Sequence, residues 1–356
     1  MKTQRFNISP SVPAAILASA QTTMDDGPAF GAQLAWSGNH FQRIEPVGNG
    51  GYQWQWGEWL APGEVMLETG QTLSTPAVLA TISHNGLNGV AQNFHAHARQ
   101  IVTWPGGAMK PRPVHFNTWE GVYFKLEESA LMEMATGAVA LGIERFVLDD
   151  GWFSGRRHDK AGLGDWFVDP QIFPAGLHPL CNHVRALGME FGLWVEPEML
   201  NPDSDLYRAH PDWSLHLPDR QSLTARHQLV LDLANPAAFA YVEARLVALL
   251  KEYPIAYLKW DHNRDLTAVG HGGRAPFRNQ TSHAYQLLAN IRQQFPDVEI
   301  EACAGGGGRI DAGILAHTHR FWLSDCIDAL SRLSIQSGFL QFFPPELMGS
   351  HVGASP

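Results

Sequence analysis

The sequence predicts an α/β protein: a (β/α)8 TIM-type barrel preceded by a partial antiparallel β-sandwich. Three observations support this fold class. Short apolar runs alternate with helical periodicity after residue 113, charged or polar residues follow nearly every run, and the first hundred residues alternate with a period of two. A doubly wound sheet fits the same rhythm, but its ligand site lies at one crevice, whereas a barrel collects polar residues at the ends of many strands.

Composition narrows the classes of protein that the chain could belong to. With 356 residues, 45% hydrophobic and 17% charged, it reads as about two globular domains rather than a disordered chain. A net charge of −10 without a long basic run argues against nucleic-acid and anionic-membrane partners. Three cysteines, Cys181, Cys303 and Cys326, are an odd number that argues against a disulfide framework and favours a reducing compartment.

The N-terminal segment weakly imitates a secretory signal. Its apolar part, residues 12–20, is short and contains Pro13, and no run in the chain approaches the roughly 18 uninterrupted apolar residues of a membrane span. We therefore expect no cleaved leader, no membrane partner and a cytoplasmic location.

The first 110 residues predict β-structure that leads into a helix. Apolar residues alternate along 30–36 and 52–56, with turn-forming residues between them. Helical spacing follows from Leu87 to Ile101, and the proline-rich Lys110-Pro-Arg-Pro113 marks the best boundary. We predict a partial sandwich with a linker helix over residues 1–110 and a barrel over residues 111–356.

The barrel prediction assigns one strand to each apolar run after residue 113. Between the runs apolar residues recur with helical spacing, and Asn235-Pro236 supplies an N-cap and an N1 proline to one of the helices. Met348–Val352 would be the eighth strand, so we expect a truncated barrel that lacks its last helix. The seven earlier predicted strands are 114–116, 146–148, 191–195, 229–231, 255–260, 298–303 and 321–323.

Carboxylates at predicted strand ends could carry chemistry. Lys259 and Asp261 are two apart on one strand, so both point to one face, where the ammonium would keep Asp261 ionised as a nucleophile or electrostatic stabiliser. Asp325 or Asp328 could supply the protonated partner that glycoside cleavage requires, and spacing alone does not choose between them. Structural interpretations stay open. Lys259 and Asp261 could form a buried ion pair, and Asp325 or Asp328 could cap the N-terminus of a helix.

Adjacent acids and a run of glycines provide further candidates. Asp149-Asp150 could accept hydrogen bonds from vicinal sugar hydroxyls or bind a divalent metal, but no compact ligand set accompanies them, so no metal is predicted. The run Cys303-Ala-Gly-Gly-Gly-Gly-Arg309 fits neither dinucleotide nor P-loop spacing, so close approach of the backbone to a bulky ring explains the glycines better than a phosphate. As a thiol nucleophile, Cys303 has no evident partner in the sequence.

Several longer motifs occur in a fixed order along the chain. They are Phe146-Val-Leu-Asp-Asp-Gly-Trp152, Gly164-Asp-Trp-Phe-Val168, Phe191-Gly-Leu-Trp-Val-Glu-Pro-Glu-Met199, Pro202-Asp-Ser-Asp-Leu-Tyr-Arg-Ala-His-Pro-Asp-Trp213, Leu229-Val-Leu-Asp-Leu233, Lys259-Trp-Asp261 and Gly349-Ser-His-Val352. In order and spacing, from about Gly31 to the C-terminus, they strongly resemble the microbial α-galactosidases of glycoside hydrolase family 36.

The resemblance implies a retaining hydrolase that releases terminal α-linked galactose from oligosaccharides such as melibiose or raffinose through a covalent galactosyl-enzyme. It makes Asp261 the nucleophile and Asp325 the acid/base, which decides against Asp328. Retaining chemistry places two such carboxylates about 5–5.5 Å apart. The implied galactose-binding residues are Trp119, Asp149, Asp150, Trp194, Arg226, Lys259, Cys303, Gly305 and Gly306.

The resemblance also implies that no metal or nucleotide cofactor is needed and that the protein forms homo-oligomers, commonly tetramers. Ser324-Asp-Cys-Ile-Asp328 departs from the family's usual Ser-Asp-Asn-Thr-Asp, and this change bears on leaving-group specificity. Compared with the family, the N-terminal sandwich looks shortened and a C-terminal β-domain is missing. Two alternatives remain: a transgalactosylase of the raffinose-synthase type, and a non-catalytic galactoside-binding fragment.

Overall fold

Antiparallel strands begin the part of the chain that the computed structural model describes, residues 12–48 and 50–353. Three of them form one sheet in the order β1-β2-β5, and two form the hairpin β3–β4. The strands are β1 (Ala14–Ala18), β2 (Ala29–Leu34), β3 (His40–Pro46), β4 (Tyr52–Glu58) and β5 (Val78–Ser83). The β-structure predicted for this region from its period-two alternation is therefore present.

Helix α1 (Gly86–Ile101) follows, as the helical spacing predicted. Its Val90 and Phe94 pack on Ala29 of β2 in a small core of their own. Gly31 permits this close packing, because a Cβ atom at that position would lie 2.5 Å from Val90 and 2.6 Å from Phe94.

Alternating strands and helices make up the rest of the described chain. They are β6 (His115–Asn117), α2 (Trp119–Val122), α3 (Glu128–Ala140), β7 (Arg145–Leu148), α4 (His178–Ala186), β8 (Glu190–Val195), β9 (Met199–Leu200), α5 (Asp205–Ala209), β10 (Leu229–Val230), α6 (Pro236–Glu252), β11 (Ile255–Trp260), α7 (Phe277–Gln294), β12 (Glu299–Ala302), α8 (Ala312–Leu315), β13 (Arg320–Trp322), α9 (Ala329–Leu340) and β14 (Met348–Gly349). The Asn235 side chain caps α6 as predicted, accepting hydrogen bonds from the backbone of Ala237 and Ala238. Within the described ranges, no helix combines the length and apolar character needed to cross a membrane.

A parallel sheet of seven strands, in the order β14-β13-β12-β11-β8-β7-β6, organises this region. Each crossover between neighbouring strands contains helices, which is the arrangement of a TIM-type barrel. Within residues 12–48 and 50–353 no pairing joins β14 to β6, so the described sheet is a partial barrel. The predicted fold class is confirmed in this form.

One predicted barrel strand is wrong. The run 229–231 contributes only β10, which pairs antiparallel with β9, while β8 pairs directly with β11 in the main sheet. Met348–Gly349 is consequently the seventh strand of the sheet and not the eighth. A short apolar run is buried equally well in a barrel strand or in a two-residue ladder above it, so hydrophobic pattern alone could not separate the two.

Charged side chains fill the face of the sheet that is turned away from the helices. The Tyr257 hydroxyl donates to Glu301 at 2.7 Å, and Arg112 forms an ion pair with the same carboxylate. Nearer the amino ends of the strands, Arg320 pairs with Glu299 at 2.8 Å. Because these charges compensate one another, they can be buried on this face in place of aliphatic side chains.

Candidate active site

The candidate site lies at the carboxyl ends of the parallel strands. Asn117 ends β6, Asp149 follows β7, Trp194 lies near the end of β8, Asp261 follows β11 and Asp325 lies three residues beyond β13. The carboxyl ends of parallel strands meet at one edge of a sheet, and in barrels this edge carries the active site. Most of the residues predicted for the site are brought together here by direct contacts.

Asp261 accepts hydrogen bonds from several directions. The Trp194 indole N–H and the Asn263 side-chain amide donate to its Oδ2, at 3.1 and 2.6 Å. The backbone N–H groups of His262 and Gly305 donate to its Oδ1, at 2.8 and 3.3 Å. The position of the carboxylate is therefore fixed by three separate segments of the chain.

The environment of Asp261 favours its ionised form. Burial raises the pKa of this carboxyl, but the Lys259 ammonium and hydrogen bonds from Asn263 and the Cys303 thiol outweigh burial and lower the pKa below its usual value. Burial and the neighbouring Asp261 charge raise the pKa of Cys303 well above its usual value, so its thiol remains a neutral donor. A buried, ionised carboxylate of this kind can act as a nucleophile.

Lys259 joins Asp261 to the end of β7. Its Nζ lies 3.1 Å from Asp149 Oδ2, an oxygen that also accepts a hydrogen bond of 2.6 Å from Asn117. The same ammonium lies 5.2 Å from the centre of the Trp322 ring. Burial lowers the pKa of Lys259, but Asp149 and the other anions raise it more, so the pKa lies above its usual value and the group is charged.

Asp150 is engaged differently from its neighbour Asp149. Both of its carboxylate oxygens accept hydrogen bonds from Arg156, at 2.9 and 2.7 Å, in a pair whose side chains are 8% and 2% exposed. Burial raises the pKa of Asp150, and Arg156 opposes that rise.

In the described part of the chain, no group of three or more His, Cys, Asp or Glu residues is arranged to hold a metal ion.

Trp119 and Trp194 are the two aromatic residues among those predicted to bind galactose. Trp119 is half-buried, and its ring packs edge-on against Tyr123 and Phe124 with centroids 5.2 and 5.1 Å away. Trp194 is buried and lies parallel to Phe153 at 6.4 Å, while its indole N–H points to Asp261. Both rings are thus fixed by aromatic neighbours at the carboxyl edge of the sheet.

The glycine run connects Asp261 to the segment that carries Asp325. Gly305 has φ of 51° and donates to Asp261, whereas Gly306 has φ of 88°, and a Cβ atom on it would lie 3.1 Å from the Asp325 nitrogen. A Cβ atom at Gly307 would lie 2.1 Å from the Leu323 carbonyl oxygen. The run therefore lets the backbone approach the segment that follows β13, and the predicted approach of the same glycines to a bulky ring stays a prediction.

The two candidate acids after β13 have different environments. Asp325 is exposed, and its Oδ1 accepts a hydrogen bond of 2.7 Å from the Trp322 indole. Asp328 is the N-cap of α9, where its carboxylate accepts a hydrogen bond of 2.7 Å from the Ser331 backbone. Asp328 therefore has the structural role that the sequence left open for it.

Arg226 reaches the site through Asn263. Its Nη1 donates to Asn263 Oδ1 at 2.6 Å, and Asn263 in turn donates to Asp261. Arg226 and His227 have φ of 50° and 60°, a left-handed conformation that non-glycine residues rarely adopt and that is concentrated at functional sites.

Sequence reasoning missed several residues that support the site. Glu196 and Glu198 were visible as acids at a strand end, but nothing in the sequence paired them with partners. Glu198 accepts two hydrogen bonds from Arg309, at 2.8 and 3.2 Å, and Arg309 and His262 lower its pKa although burial raises it. Asn117, Arg156 and Asn263 carried no recognisable signal at all.

A parallel barrel sheet with carboxyl groups gathered at its carboxyl edge is an arrangement that glycoside hydrolases use. The chain belongs to the Melibiase family, whose sequence pattern matches residues 72–356.

Known relatives are similar over nearly the whole chain. An α-galactosidase of Escherichia coli is 50% identical over 342 residues, which cover 96% of this chain and 48% of that protein. α-Galactosidase AgaA of Geobacillus stearothermophilus is 39% identical over 345 residues, 93% of this chain and 46% of that protein. The structure of an α-galactosidase from Lactobacillus brevis matches with a TM-score of 0.92 and 38% identity, covering 97% of this chain and 47% of that one. The chain thus spans about half the length of the curated relatives it matches.

Proposed function

We propose that the protein hydrolyses terminal α-galactosides with retention of anomeric configuration, through a covalent galactosyl-enzyme. The observation that carries this proposal is the buried, ionised Asp261 carboxylate, linked by Gly305 and Gly306 to the segment bearing Asp325. Structures of AgaA variants from G. stearothermophilus in complex with raffinose and stachyose support oligosaccharide substrates of this class.

In the first step Asp325, protonated, donates its proton to the glycosidic oxygen while the bond from that oxygen to the anomeric carbon breaks. Asp261 attacks the anomeric carbon and forms the galactosyl ester. Water then attacks the same carbon, Asp325 accepts the water proton, and the Asp261 carboxylate leaves. The exposure of Asp325 suits this exchange with a leaving group and then with water, and its hydrogen bond from Trp322 leaves Oδ2 for the proton.

The surrounding residues would bind the galactosyl group. Asp149 can accept hydrogen bonds from sugar hydroxyls, while Lys259 and Arg226 can donate them, and Trp119 and Trp194 provide apolar surface. The remaining proposed binding residues are Asp150, Cys303, Gly305 and Gly306.

The decisive experiment combines stereochemistry with variants of the two carboxyl groups. We expect α-galactose to appear before its β-anomer when hydrolysis of an aryl α-galactoside is followed by proton NMR. Asp261→Ala abolishes turnover; Asp325→Ala is slow but is reactivated by azide with formation of α-galactosyl azide; and Asp328→Ala serves as the matched control. Early β-galactose, or equal turnover by wild type and Asp261→Ala, contradicts the proposal, and a product pool dominated by transfer to sugar acceptors favours the transgalactosylase.

We also propose a cytoplasmic homo-oligomer, a tetramer by resemblance, built from domains over residues 1–110 and 111–356. The free thiols of Cys181, Cys303 and Cys326 support a reducing compartment. Light scattering tests the assembly, and limited proteolysis tests whether the chain is cut first near residue 110.

A further inference from the structure

A buried carboxyl group that the proposed mechanism does not use lies beside Asp261. Glu196 comes directly after β8 and is 1% exposed. Its Oε1 accepts a hydrogen bond of 2.5 Å from the backbone N–H of Asn263, and its Oε2 accepts one of 3.1 Å from the Gln228 side chain. Glu196 therefore joins the segment after β11 to the segment that carries Arg226.

Asn263 transmits this constraint to the nucleophile. Its Nδ2 donates to Asp261 at 2.6 Å, while its Oδ1 accepts from Arg226 at 2.6 Å. A guanidinium group can only donate hydrogen bonds, so Arg226 fixes which end of the Asn263 amide faces it and leaves the NH2 group for Asp261. The direction of that NH2 group then depends on where the Asn263 backbone is held.

We propose that Glu196 is a positioning residue for the reaction proposed above: it anchors the backbone of Asn263 and thereby sets the placement of Asp261 and Arg226. The inference rests on that proposed function. Its hydrogen bonds reach the nucleophile through Asn263, and its charge, when it is ionised, acts on Asp261 across the site.

The raised pKa of Glu196 suits a carboxyl group that is buried beside the Asp261 carboxylate. Burial and the Asp261 charge raise its pKa to about 8, and the Arg156 cation and the Asn263 hydrogen bonds oppose the rise. At neutral pH the group is therefore mostly protonated, and Asp261 has no second anion against it. Above pH 8 the proton is lost, and repulsion between the two carboxylates displaces the nucleophile.

The test compares Glu196→Gln and Glu196→Ala with Glu133→Ala, a control at an exposed position of α3. With α-galactosyl fluoride the leaving group needs no proton from Asp325, so the alkaline limb of kcat/KM reports Glu196 and not the acid/base. We expect wild type and the control to lose kcat/KM above about pH 8, and Glu196→Gln, which cannot ionise, to lack this limb. At pH 6, Glu196→Ala lowers kcat/KM by about 10- to 100-fold with a smaller change in KM, and Glu196→Gln recovers most of that loss.

A second readout does not depend on turnover. Calorimetric titration with 1-deoxygalactonojirimycin, a ligand of an AgaA variant, measures whether the site is arranged for a galactose-shaped cation. We expect about tenfold weaker binding by Glu196→Ala and wild-type binding by Glu133→Ala. If wild type is active but both Glu196 variants match it in rate, pH profile and affinity, the positioning role is wrong and the proposed function stands. If wild type neither binds nor turns over galactosides, the proposed function falls and the inference falls with it.

Discussion

Lys259 and Asp149 form an ion pair of 3.1 Å between β11 and β7, and the same ammonium lowers the pKa of Asp261, two residues along the strand. One cation thus neutralises a proposed sugar-binding carboxylate and favours ionisation of the proposed nucleophile. Since both acids are buried, removing that cation affects each of them.

Lys259→Met should shift the acid limb of the pH profile of kcat/KM to higher pH. Without the ammonium the pKa of Asp261 rises, so more of the nucleophile is protonated at low pH and the loss of kcat/KM is greatest there. We expect a decrease of about 100-fold at neutral pH and a larger one near pH 4. The measurement is kcat/KM against pH, with Lys251→Met at the exposed end of α6 as control; an acid limb that stays in place contradicts the role assigned to Lys259.

Gly306→Ala should impair both activity and stability. The residue has φ of 88°, and the added Cβ would press on the backbone at Ser324 and Asp325. We expect a loss of about 1–3 kcal/mol in the free energy of unfolding and at least about a tenfold fall in kcat, because Asp325 is displaced. Gly137→Ala in α3, where the new Cβ meets open space, should instead stabilise by up to about 1 kcal/mol. Equal effects at the two glycines would argue against a tight contact at residue 306.

Arg156→Met should strongly destabilise the protein. It leaves Asp150 buried without its cation, which costs about 3–5 kcal/mol in comparable buried pairs. The double variant with Asp150→Asn should recover part of this loss, since no charge is then left unpaired. Unfolding in denaturant measures the stability of the single and the double variant. As a control, Arg208→Ala removes an exposed ion-paired arginine and should unfold almost like wild type. A double variant that is as unstable as the sum of its parts would contradict the pairing.

Glu196→Gln should change how stability depends on pH. In the wild type the unfolded carboxyl ionises near pH 4.5 and the folded one near 8, so between these values the folded state binds the extra proton and loses stability as pH rises. The slope is about 1.4 kcal/mol per pH unit in that window, and it is absent in the variant. Chemical denaturation at pH 5, 7 and 9 should therefore show the variant gaining on wild type as pH rises; parallel curves would mean that Glu196 titrates normally.

The sequence predicted the architecture well where periodicity and strand-end chemistry agreed. The α1 spacing, the Asn235 cap and the parallel strands carrying Asp149 and Asp261 were all predicted correctly. The run 229–231 was misassigned, because burial looks the same in a barrel strand and in a short ladder above it.

Partners were harder to predict than positions. The sequence placed Asp150 beside Asp149 but could not indicate their partners. Arg156 binds both carboxylate oxygens of Asp150, whereas Asp149 pairs with Lys259. Likewise, Asn263 donates to Asp261 and its backbone N–H donates to Glu196, which is 67 residues away in the chain. Long-range pairing of this kind has no local signature in a single sequence.

Direct bonding of β8 to β11 has a consequence for how such a protein can diverge. Residues 196–235 leave the sheet after β8 and contribute no strand to it before α6 begins. Within this segment residues 216–227 are mostly exposed, and insertions or deletions there leave the strand register untouched, as is usual for surface connections. The same exposed stretch carries Arg226, which reaches the site through Asn263, so selection can remodel this side of the proposed sugar site while the strand that leads to Asp261 remains unchanged.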